Sequence, residues 1–452
     1  MIEDINSGAI YKNAIEWRFE FPEVLDKKTK DFIGFDIVIG NPPYGVKIGT
    51  QVKDLLKKQF GDVHMRTPDT YIYFISQAFR LLAKKSLANL IVPNNLFYQN
   101  ENEKARQLLL NKHLISACNL GDNVFVDANV PTCVYIVENQ NVKKYKFNYA
   151  DYRDWNGDPS KLFSSDRIKK TDSSKVYSLP AKVFGVDTET ITILEKVRGK
   201  SVTINEIAKK MACGISTGGD KIFRIPIDFA KQNQFDLSLL KKVLIGREVH
   251  KYSYHHNNHF IIYTTRQTDI SRYNNIQTYL FQYKENLSTR SECKSGILPW
   301  FALNRHRSQL LFEGKKVIIR QTADHIIATY DEEDFYLLDS LLVLKLKNDS
   351  RYNYKFILAV LNSSFSNFLY MNFTQEGGRV FAQVKPKNIR KLPIPQISPR
   401  EQNPFIELVD KILAVKKKDP KANTSELETE IDEMIYNLYD LTPEEIAIIE
   451  EK

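Results

Sequence analysis

The sequence predicts an α/β protein that begins with one half of a doubly wound sheet and continues into a mixed α/β domain and a helical tail. Three observations support this prediction. Strand and helix patterns alternate from Phe35 to Glu138. Residues 182–398 are rich in aromatic and basic side chains, and they mix strand-like runs with a helical stretch. Two helical stripes of apolar residues follow within residues 399–452.

The first predicted strand is the apolar run from Phe35 to Gly40, which is short and rich in isoleucine and valine. That composition is typical of a parallel strand buried on both faces. The next four residues are Asn41-Pro42-Pro43-Tyr44, whose prolines end the strand. Because ligands bind just beyond the carboxyl ends of strands in open α/β sheets, we expect this loop to lie in a site.

The later elements of the first domain follow from periodicity and capping signals. We predict helices from Asp69 to Lys85 and from Glu101 to Lys112, and strands at 87–93, 114–120 and 131–137. Beyond them the chain turns polar, with many Lys, Asp and Ser residues, which indicates a linker. The predicted organisation is a partial catalytic domain (1–140), a polar linker (141–181), a second domain (182–398) and a helical tail (399–452).

The residues Asn41-Pro42-Pro43-Tyr44 are suited to binding a planar amino group. The Asn41 side-chain oxygen and the Pro42 carbonyl would each accept one hydrogen from a planar NH2 group, which leaves the amine lone pair available for attack on a methyl donor. Tyr44 offers a face on which the ring carrying that amine would stack. We therefore assign Asn41, Pro42, Pro43 and Tyr44 as candidate catalytic residues, although Asn-Pro and Pro-Pro also commonly mark an ordinary turn.

Several segments occur in one order with this loop and carry a resemblance. They are Trp17–Glu23, Asp69-Thr70-Tyr71-Ile72-Tyr73-Phe74, Ile91–Asn95, Val124-Phe125 and Thr132–Ile136. Together they resemble the adenine-specific (N6) DNA methyltransferases of restriction-modification systems. Gly214–Gly218, Gly246–Val249, Trp300–Leu303 and Leu392–Pro395 resemble the TaqI-like C-terminal specificity domain of the same enzymes. The resemblance implies a Rossmann-like methyltransferase sheet joined to a target-recognition domain.

The resemblance also implies residue roles. It implies transfer of a methyl group from S-adenosyl-L-methionine to an adenine flipped out of double-stranded DNA. Asn41, Pro42 and Tyr44 would hold that adenine, and Phe125 would stack on its other face. Phe74 would lie against the adenine of the cofactor, with Asp69 and Asn41 also in the cofactor site.

One feature of the family is missing. None of the 18 glycines lies two residues from another, so the chain has no G-x-G turn of the kind that cradles the cofactor. Only about forty residues precede the tetrapeptide. The resemblance therefore predicts a fragment or subunit with about four strands of the sheet and an incomplete cofactor pocket. A partner chain would supply the N-terminal half of the methyltransferase domain.

Charge predicts a nucleic-acid partner. The chain carries a net charge of +9, but residues 425–452 contribute −9, which leaves +18 on residues 1–424. Clustered basic charge is typical of phosphate binding. The best local candidates for DNA-backbone contact are Lys385, Lys387, Arg390 and Lys391, although a solvated loop is an equal alternative. Gly214, Gly218 and Gly219 would either cradle a phosphate or form a domain-entry turn.

Other functional classes find little support. No apolar stretch approaches the ~20 residues of a membrane span, and we expect a cytoplasmic protein. The four cysteines are scattered, and His255-His256-Asn257-Asn258-His259 has no neighbouring cysteine or carboxylate, so no metal site is expected.

Two alternatives to a DNA adenine methyltransferase stay open. One is a DNA-binding specificity protein without catalysis, which the missing cofactor turn suggests. The other, less favoured because of the large basic second domain, is a methyltransferase acting on a protein glutamine or an RNA guanine.

Overall fold

A six-stranded mixed sheet organises the N-terminal part of the chain. The computed structural model describes residues 17–121, 124–125, 130–153, 167–374 and 383–451. The chain divides into unit 1, residues 1–191, and unit 2, residues 192–452. The α/β fold class predicted from the sequence is confirmed.

Among the described elements of unit 1, helices separate the first three strands, as predicted, and the last four strands have no helix between them. In chain order these elements are α1 (Trp17–Glu20), β1 (Phe35–Gly40), α2 (Thr50–Gln59), α3 (Thr70–Leu81), β2 (Leu82–Pro93), α4 (Glu103–Asn111), β3 (Lys112–Gly121), β4 (Thr132–Asn141), β5 (Lys146–Asp151), β6 (Lys169–Asp172), α5 (Ser173–Ser178) and α6 (Thr188–Arg198), the last of which crosses into unit 2.

The strands lie in the order β1-β2-β4-β3-β5-β6. β1, β2, β3 and β5 share one direction, because β1 pairs parallel with β2, β3 pairs parallel with β5, and β4 lies antiparallel between β2 and β3. The carboxyl ends of these four strands therefore meet at one edge of the sheet. We call this edge the carboxyl edge.

β1 has the predicted bounds and direction but not the predicted burial. Ile37 is 62% exposed and Ile39 is 74% exposed. The expectation of a strand buried on both faces is wrong for the described chain, because β1 is the edge strand of this sheet and pairs only with β2. The neighbouring helix α2 buries none of its residues either, with Val52 and Leu55 at least half exposed.

The stretch predicted to be a polar linker, residues 141–181, instead adds two strands to the sheet. β5 buries Phe147, Tyr149 and Ala150 in the core, and β6 pairs antiparallel with it. The buried guanidinium of Arg106 on α4 fixes the end of this stretch by donating to the Ala181 carbonyl and to the Leu96 carbonyl. In the described part of this stretch, Lys146, Lys169 and Lys170 are exposed on the two added strands.

Unit 2 is a mixed α/β structure with short strands. Its strands are β7 (Ser201–Thr203), β8 (Ala208–Cys213), β9 (Arg224–Pro226), β10 (Leu240–Leu244), β11 (Val249–His250), β12 (Ser253–Tyr254), β13 (His259–Ile262), β14 (Lys316–Arg320), β15 (Ala328–Asp331), β16 (Tyr336–Leu337), β17 (Leu341–Leu346) and β18 (Pro393–Pro395). They form two four-stranded sheets, β16-β10-β13-β9 and β15-β14-β17-β8, and two two-stranded ribbons, β11-β12 and β18-β7.

The helices of unit 2 are short in its first half and longer toward the C-terminus. They are α7 (Ile204–Ile207), α8 (Asp220–Phe223), α9 (Ile227–Gln232), α10 (Asn274–Phe281), α11 (Lys284–Ser288), α12 (Ser291–Lys294), α13 (Tyr354–Asn362), α14 (Ser364–Thr374), α15 (Pro386–Ile389), α16 (Asn403–Lys418), α17 (Ser425–Leu438) and α18 (Pro443–Glu450).

The predicted helical tail shares a core with the rest of unit 2. Phe405 of α16 and Ile431 of α17 belong to the same buried cluster as Val317 of β14 and Leu342 of β17. Asp432 also accepts hydrogen bonds from the Ser364 backbone N–H and hydroxyl at the start of α14. The tail is therefore packed into unit 2. No helix in the described ranges is both long and apolar enough to cross a membrane.

Candidate active site at the carboxyl edge of the sheet

The Asn41–Tyr44 loop, which we call the catalytic loop, leaves β1 at the carboxyl edge. Asn41 and Pro43 are exposed, Tyr44 is half-buried and Pro42 is buried. Within the described chain, neither the Asn41 side chain nor the Pro42 carbonyl has a hydrogen-bond partner. Both acceptors are therefore unengaged in the described chain, at the place where the sequence predicts the substrate.

The loop contacts the first turn of α3. Asp69 caps this helix by accepting from the Thr70 backbone N–H at 2.7 Å, and the same oxygen accepts from the Gly45 backbone N–H at 2.9 Å. The Thr70 hydroxyl donates to the Pro43 carbonyl. Asp69, predicted to bind cofactor, thus has one carboxylate oxygen engaged by the segment that follows the catalytic loop.

The two predicted stacking residues lie apart from each other. Phe74 follows Thr70 by about one turn of α3 and is 46% exposed, so its ring is accessible to a ligand. Phe125 is half-buried. No ring contact joins Phe125, Phe74 and Tyr44 in the described ranges. The loop around Phe125 falls mostly outside those ranges, and the predicted role of Phe125 stays a prediction.

A buried polar network lies under the carboxyl edge, and sequence reasoning missed it. The Asn94 amide donates to the Asn119 side-chain oxygen at 3.0 Å, and the Tyr98 hydroxyl donates to Asn94 at 3.0 Å. Nearby, the Tyr71 hydroxyl donates to the Asn95 side-chain oxygen at 2.7 Å. Burial raises the pKa of Tyr71 well above its usual value, so its hydroxyl stays a neutral donor. The run Pro93-Asn94-Asn95, read only as the end of a strand, was the available signal.

S-adenosylmethionine fits this edge only in part. Phe74 provides an exposed aromatic face for an adenine ring, and Asn41 lies at the same edge. The described residues include no glycine-rich turn that would cradle the methionine end of the cofactor. The exposed side of β1, with Ile37 and Ile39, lies beside the catalytic loop and has no covering element in the described ranges.

A groove of about 700 Å³ lies on the side of the sheet formed by β5 and β6, far from β1 in the strand order. It is found where β5 ends and β6 begins. Its lining contains four basic residues, Arg153, Arg167, Lys169 and Lys170, and three acidic ones, Asp151, Asp187 and Glu189. Arg153 pairs with Asp151 at 2.8 Å, whereas Lys169 and Lys170 are exposed. Sequence reasoning did not single out these lysines because they fell in the supposed linker.

The predicted DNA-contact residues of unit 2 are only half exposed. The Arg390 guanidinium donates to the Met211 carbonyl at 2.9 Å and to the Asn205 side chain at 3.1 Å. Lys385, Lys387 and Lys391 are half-buried, and each has its own interaction within the chain. Phosphate contact by these four residues stays a prediction, and Arg390 would have to exchange internal contacts for it.

The glycines at 214, 218 and 219 lie in a tight, closely packed turn. A Cβ atom at Gly214 would come within 2.3 Å of the Leu337 and Leu338 carbonyl oxygens, which explains the glycine by close backbone approach. Thr217 donates to the Asp220 carboxylate inside the same turn. A carboxylate there disfavours a phosphate, so of the two alternatives the geometry favours the domain-entry turn.

Most of the histidine cluster lies in the loop between β12 and β13. The His256 ring bonds the His259 carbonyl at 2.8 Å, and the Asn257 amide donates to Glu248 at 2.9 Å. The side chains thus hold the loop in shape. Across the residues with a described placement, no group of three His, Cys, Asp or Glu side chains could hold a metal ion.

Comparisons with known proteins agree with this picture. Residues 2–125 match the family described as Eco57I restriction-modification methylase, and residues 241–394 match the TaqI-like C-terminal specificity domain. The resemblance to restriction-modification methyltransferases with such a specificity domain is thereby confirmed.

Two curated relatives match nearly the whole chain. A putative type II restriction enzyme and methyltransferase of Methanocaldococcus jannaschii, RM.MjaORFECS2P, is 23% identical over 95% of this chain, which spans 33% of that protein. The type II methyltransferase M.BstVI of Geobacillus stearothermophilus is 20% identical over 99% of this chain and 79% of its own length. The chain thus spans about one third of the first relative.

Among solved structures, the type IIL restriction-modification enzyme MmeI in complex with DNA has a similar fold. The TM-score is 0.63 at 14% sequence identity, and the match covers 91% of this chain and 56% of MmeI. At that identity the match supports the fold alone.

Proposed function

We propose that this chain, whose segments match the Eco57I methylase family and the TaqI-like specificity domain, methylates adenine N6 at specific sites in DNA. The observation that carries the proposal is the catalytic loop at the carboxyl edge. Its Asn41 side chain and Pro42 carbonyl are acceptors without partners in the described chain, and Tyr44 stands beside them.

The proposed chemistry needs little more than positioning. S-adenosylmethionine supplies the methyl group when bound. The Asn41 oxygen and the Pro42 carbonyl each accept one hydrogen of the adenine amino group, so that the nitrogen lone pair is free to point toward the methyl carbon. Stacking on Tyr44 holds the flipped base, at about 1 to 3 kcal/mol for a base on an aromatic ring. The new N–CH3 bond would form as the S–CH3 bond of the donor breaks, which leaves S-adenosylhomocysteine. The positively charged amine then loses its extra proton to water, so no dedicated general base is required.

Two features favour DNA over the alternative substrates, a protein glutamine and an RNA guanine. The match to a TaqI-like specificity domain lies in unit 2. Residues 1–424 carry a net charge of +18, which suits a polyanion. A base inside duplex DNA has to be flipped out before it reaches a catalytic loop, and a second domain can hold the helix during that step. We expect the protein in the cytoplasm together with its DNA.

We further propose that a partner segment completes the cofactor site at β1. β1 is a parallel edge strand with exposed isoleucines. Because parallel strands are normally covered on both faces, such a strand is typical of the interior of a larger sheet. The proposed occupant is the N-terminal half of a methyltransferase domain, which would add a parallel strand to β1 and carry the glycine-rich turn. A specificity protein without catalysis is the alternative, and it predicts no partner at this edge.

The test replaces Asn41 in the full chain, with the N-terminal half of the domain supplied. Asn41→Ala should lower methyl transfer from labelled S-adenosylmethionine to unmodified DNA by roughly a hundredfold or more, as for loss of an aligned catalytic hydrogen bond. DNA affinity should stay within about twofold, because the side chain contacts the base and not the backbone. Asn141→Ala is the matched control, since Asn141 is also exposed but ends β4 at the opposite edge of the sheet.

Wild-type turnover in Asn41→Ala would refute the acceptor role. Titration of the chain with S-adenosylmethionine distinguishes an enzyme divided between two chains from a specificity protein without catalysis. Binding that depends on the N-terminal half supports the divided enzyme, whereas absence of binding and turnover even with that half supplied supports the specificity protein.

A further inference from the structure

Two hydrogen bonds join the catalytic loop region to α3 across a wide gap in sequence. Asp69 accepts from Gly45, 24 residues earlier, and the Thr70 hydroxyl donates to the carbonyl of Pro43, 27 residues earlier. These contacts bracket Tyr44 on both sides. The loop and the helix terminus are thereby joined at two points, and we call the pair Asp69 and Thr70 the clamp.

Packing supports only part of the loop, since Pro42 is buried and Tyr44 half-buried. Asn41, Pro43, Gly45 and Val46 are exposed. Gly45 has a φ of 74°, in the left-handed region, and a Cβ atom there would find nothing within 4 Å. Because open space surrounds Gly45, the position of this turn depends strongly on the hydrogen bonds made by the residues on either side of Tyr44.

The helix end that holds the loop is itself rigidly attached. Tyr71, one residue after Thr70, is 1% exposed, and its hydroxyl bonds Asn95. Asn102 donates from one amide nitrogen to the Tyr71 hydroxyl and to the Asn95 carbonyl, both at 3.0 Å. The first turn of α3 is therefore fixed to the segment that follows β2, and the clamp transmits that position to the loop.

The clamp engages one of the two proline carbonyls of the loop. The Pro43 carbonyl is engaged by Thr70, while the adjacent Pro42 carbonyl has no partner in the described chain. We propose that Asp69 and Thr70 are positioning residues that hold the catalytic loop so that Pro42, and not Pro43, presents its carbonyl to the target amine. This inference rests on the proposed function for the role of Pro42, but the clamp itself is testable without DNA or methyl donor.

The first test measures hydrogen exchange of the backbone amides of residues 44–49 in the intact chain. Thr70→Val keeps the shape of the side chain but removes the hydroxyl, and Asp69→Ala removes the acceptor of the Gly45 N–H. Each should speed exchange of the Gly45 amide by about tenfold or more, because Asp69→Ala removes the charge-assisted bond that protects this amide and Thr70→Val releases the loop that presents it. Thr70→Ser keeps the hydroxyl and should exchange like the wild type.

A matched control separates the clamp from ordinary helix capping. Asp172 caps α5 in the same unit, accepting from the Ser174 N–H at 2.8 Å, and within the described residues it makes no hydrogen bond to the catalytic loop. Asp172→Ala should therefore lose a cap of similar kind without changing exchange at residues 44–49. Unchanged loop exchange in both Thr70→Val and Asp69→Ala would overturn the clamp.

The second test follows turnover with the N-terminal half supplied. Thr70→Val should lower kcat by about tenfold or more while the KM for DNA stays within about twofold, because a displaced acceptor affects the reacting amine and not DNA binding. Thr70→Ser should restore kcat. A change in KM alone would overturn the positioning role. If Asn41→Ala stays active while loop exchange responds as expected, the proposed function fails and the clamp stands.

Discussion

The guanidinium of Arg390 links three parts of unit 2. It bonds the Met211 carbonyl in β8 and the Asn205 side chain in α7, and its own backbone carbonyl accepts from the Asn205 N–H at 2.9 Å. An arginine that already satisfies several internal groups contributes more to stability than to a surface charge pattern. The basic run from Lys385 to Lys391 therefore contains residues with different roles.

We predict that Arg390→Ala lowers the free energy of unfolding of unit 2 by about 1–3 kcal/mol, because it leaves the Met211 carbonyl without its donor. Its effect on the salt dependence of DNA binding should be small. Lys387→Ala should instead act on DNA binding. If the residue contacts a phosphate, the substitution should reduce the slope of log affinity against log salt by about 0.9. Urea unfolding and DNA titration at several salt concentrations measure both effects. A large change in salt slope with unchanged stability in Arg390→Ala would restore the phosphate role.

Element boundaries followed from local sequence where apolar pattern and capping agree. β1 has the predicted bounds, and α3 begins at Thr70, one residue after the predicted start at Asp69. α3 ends four residues earlier than predicted, and Lys85 within β2 has a φ of 63°. The clamp lay beyond sequence reasoning because its partners are 24 and 27 residues apart, and only the folded sheet brings them together. β5 was missed because its few apolar residues directly follow a group of lysines.

The exposed face of β1 leads to a prediction for the element. Ile39→Lys should change the stability of the isolated chain by no more than about 0.5 kcal/mol, because the side chain is 74% exposed. It should abolish copurification with the N-terminal half, since a lysine ammonium would be buried without a partner in the completed sheet. The control is Ile297→Lys, which places the same charge at a 63% exposed isoleucine in unit 2. Copurification at wild-type yield with Ile39→Lys would contradict the proposed docking edge.

At the scale of the whole molecule, charge and core divide along the two units. Residues 192–424 carry 37 basic and 22 acidic residues, a net charge of +15, whereas residues 1–191 carry 26 basic and 23 acidic residues, a net charge of +3. The two large buried clusters of unit 2 are built from residues 193–449 alone. The net charge could be calculated from the sequence, but only the structure shows that most of the positive charge belongs to the unit that contains these two hydrophobic cores.

A chain of residues 192–452 should therefore fold without unit 1 and retain most of the DNA affinity. We expect one cooperative thermal transition by circular dichroism, because a unit with its own apolar core unfolds as a unit. Binding to duplex DNA should weaken steeply between 50 and 200 mM salt, as phosphate contacts are replaced by counterions. The fragment should give no response to S-adenosylmethionine, since the catalytic loop and Phe74 lie in unit 1. A folded fragment that leaves DNA unbound at low salt would instead assign the affinity to unit 1, where Lys169 and Lys170 of the groove become the residues to replace.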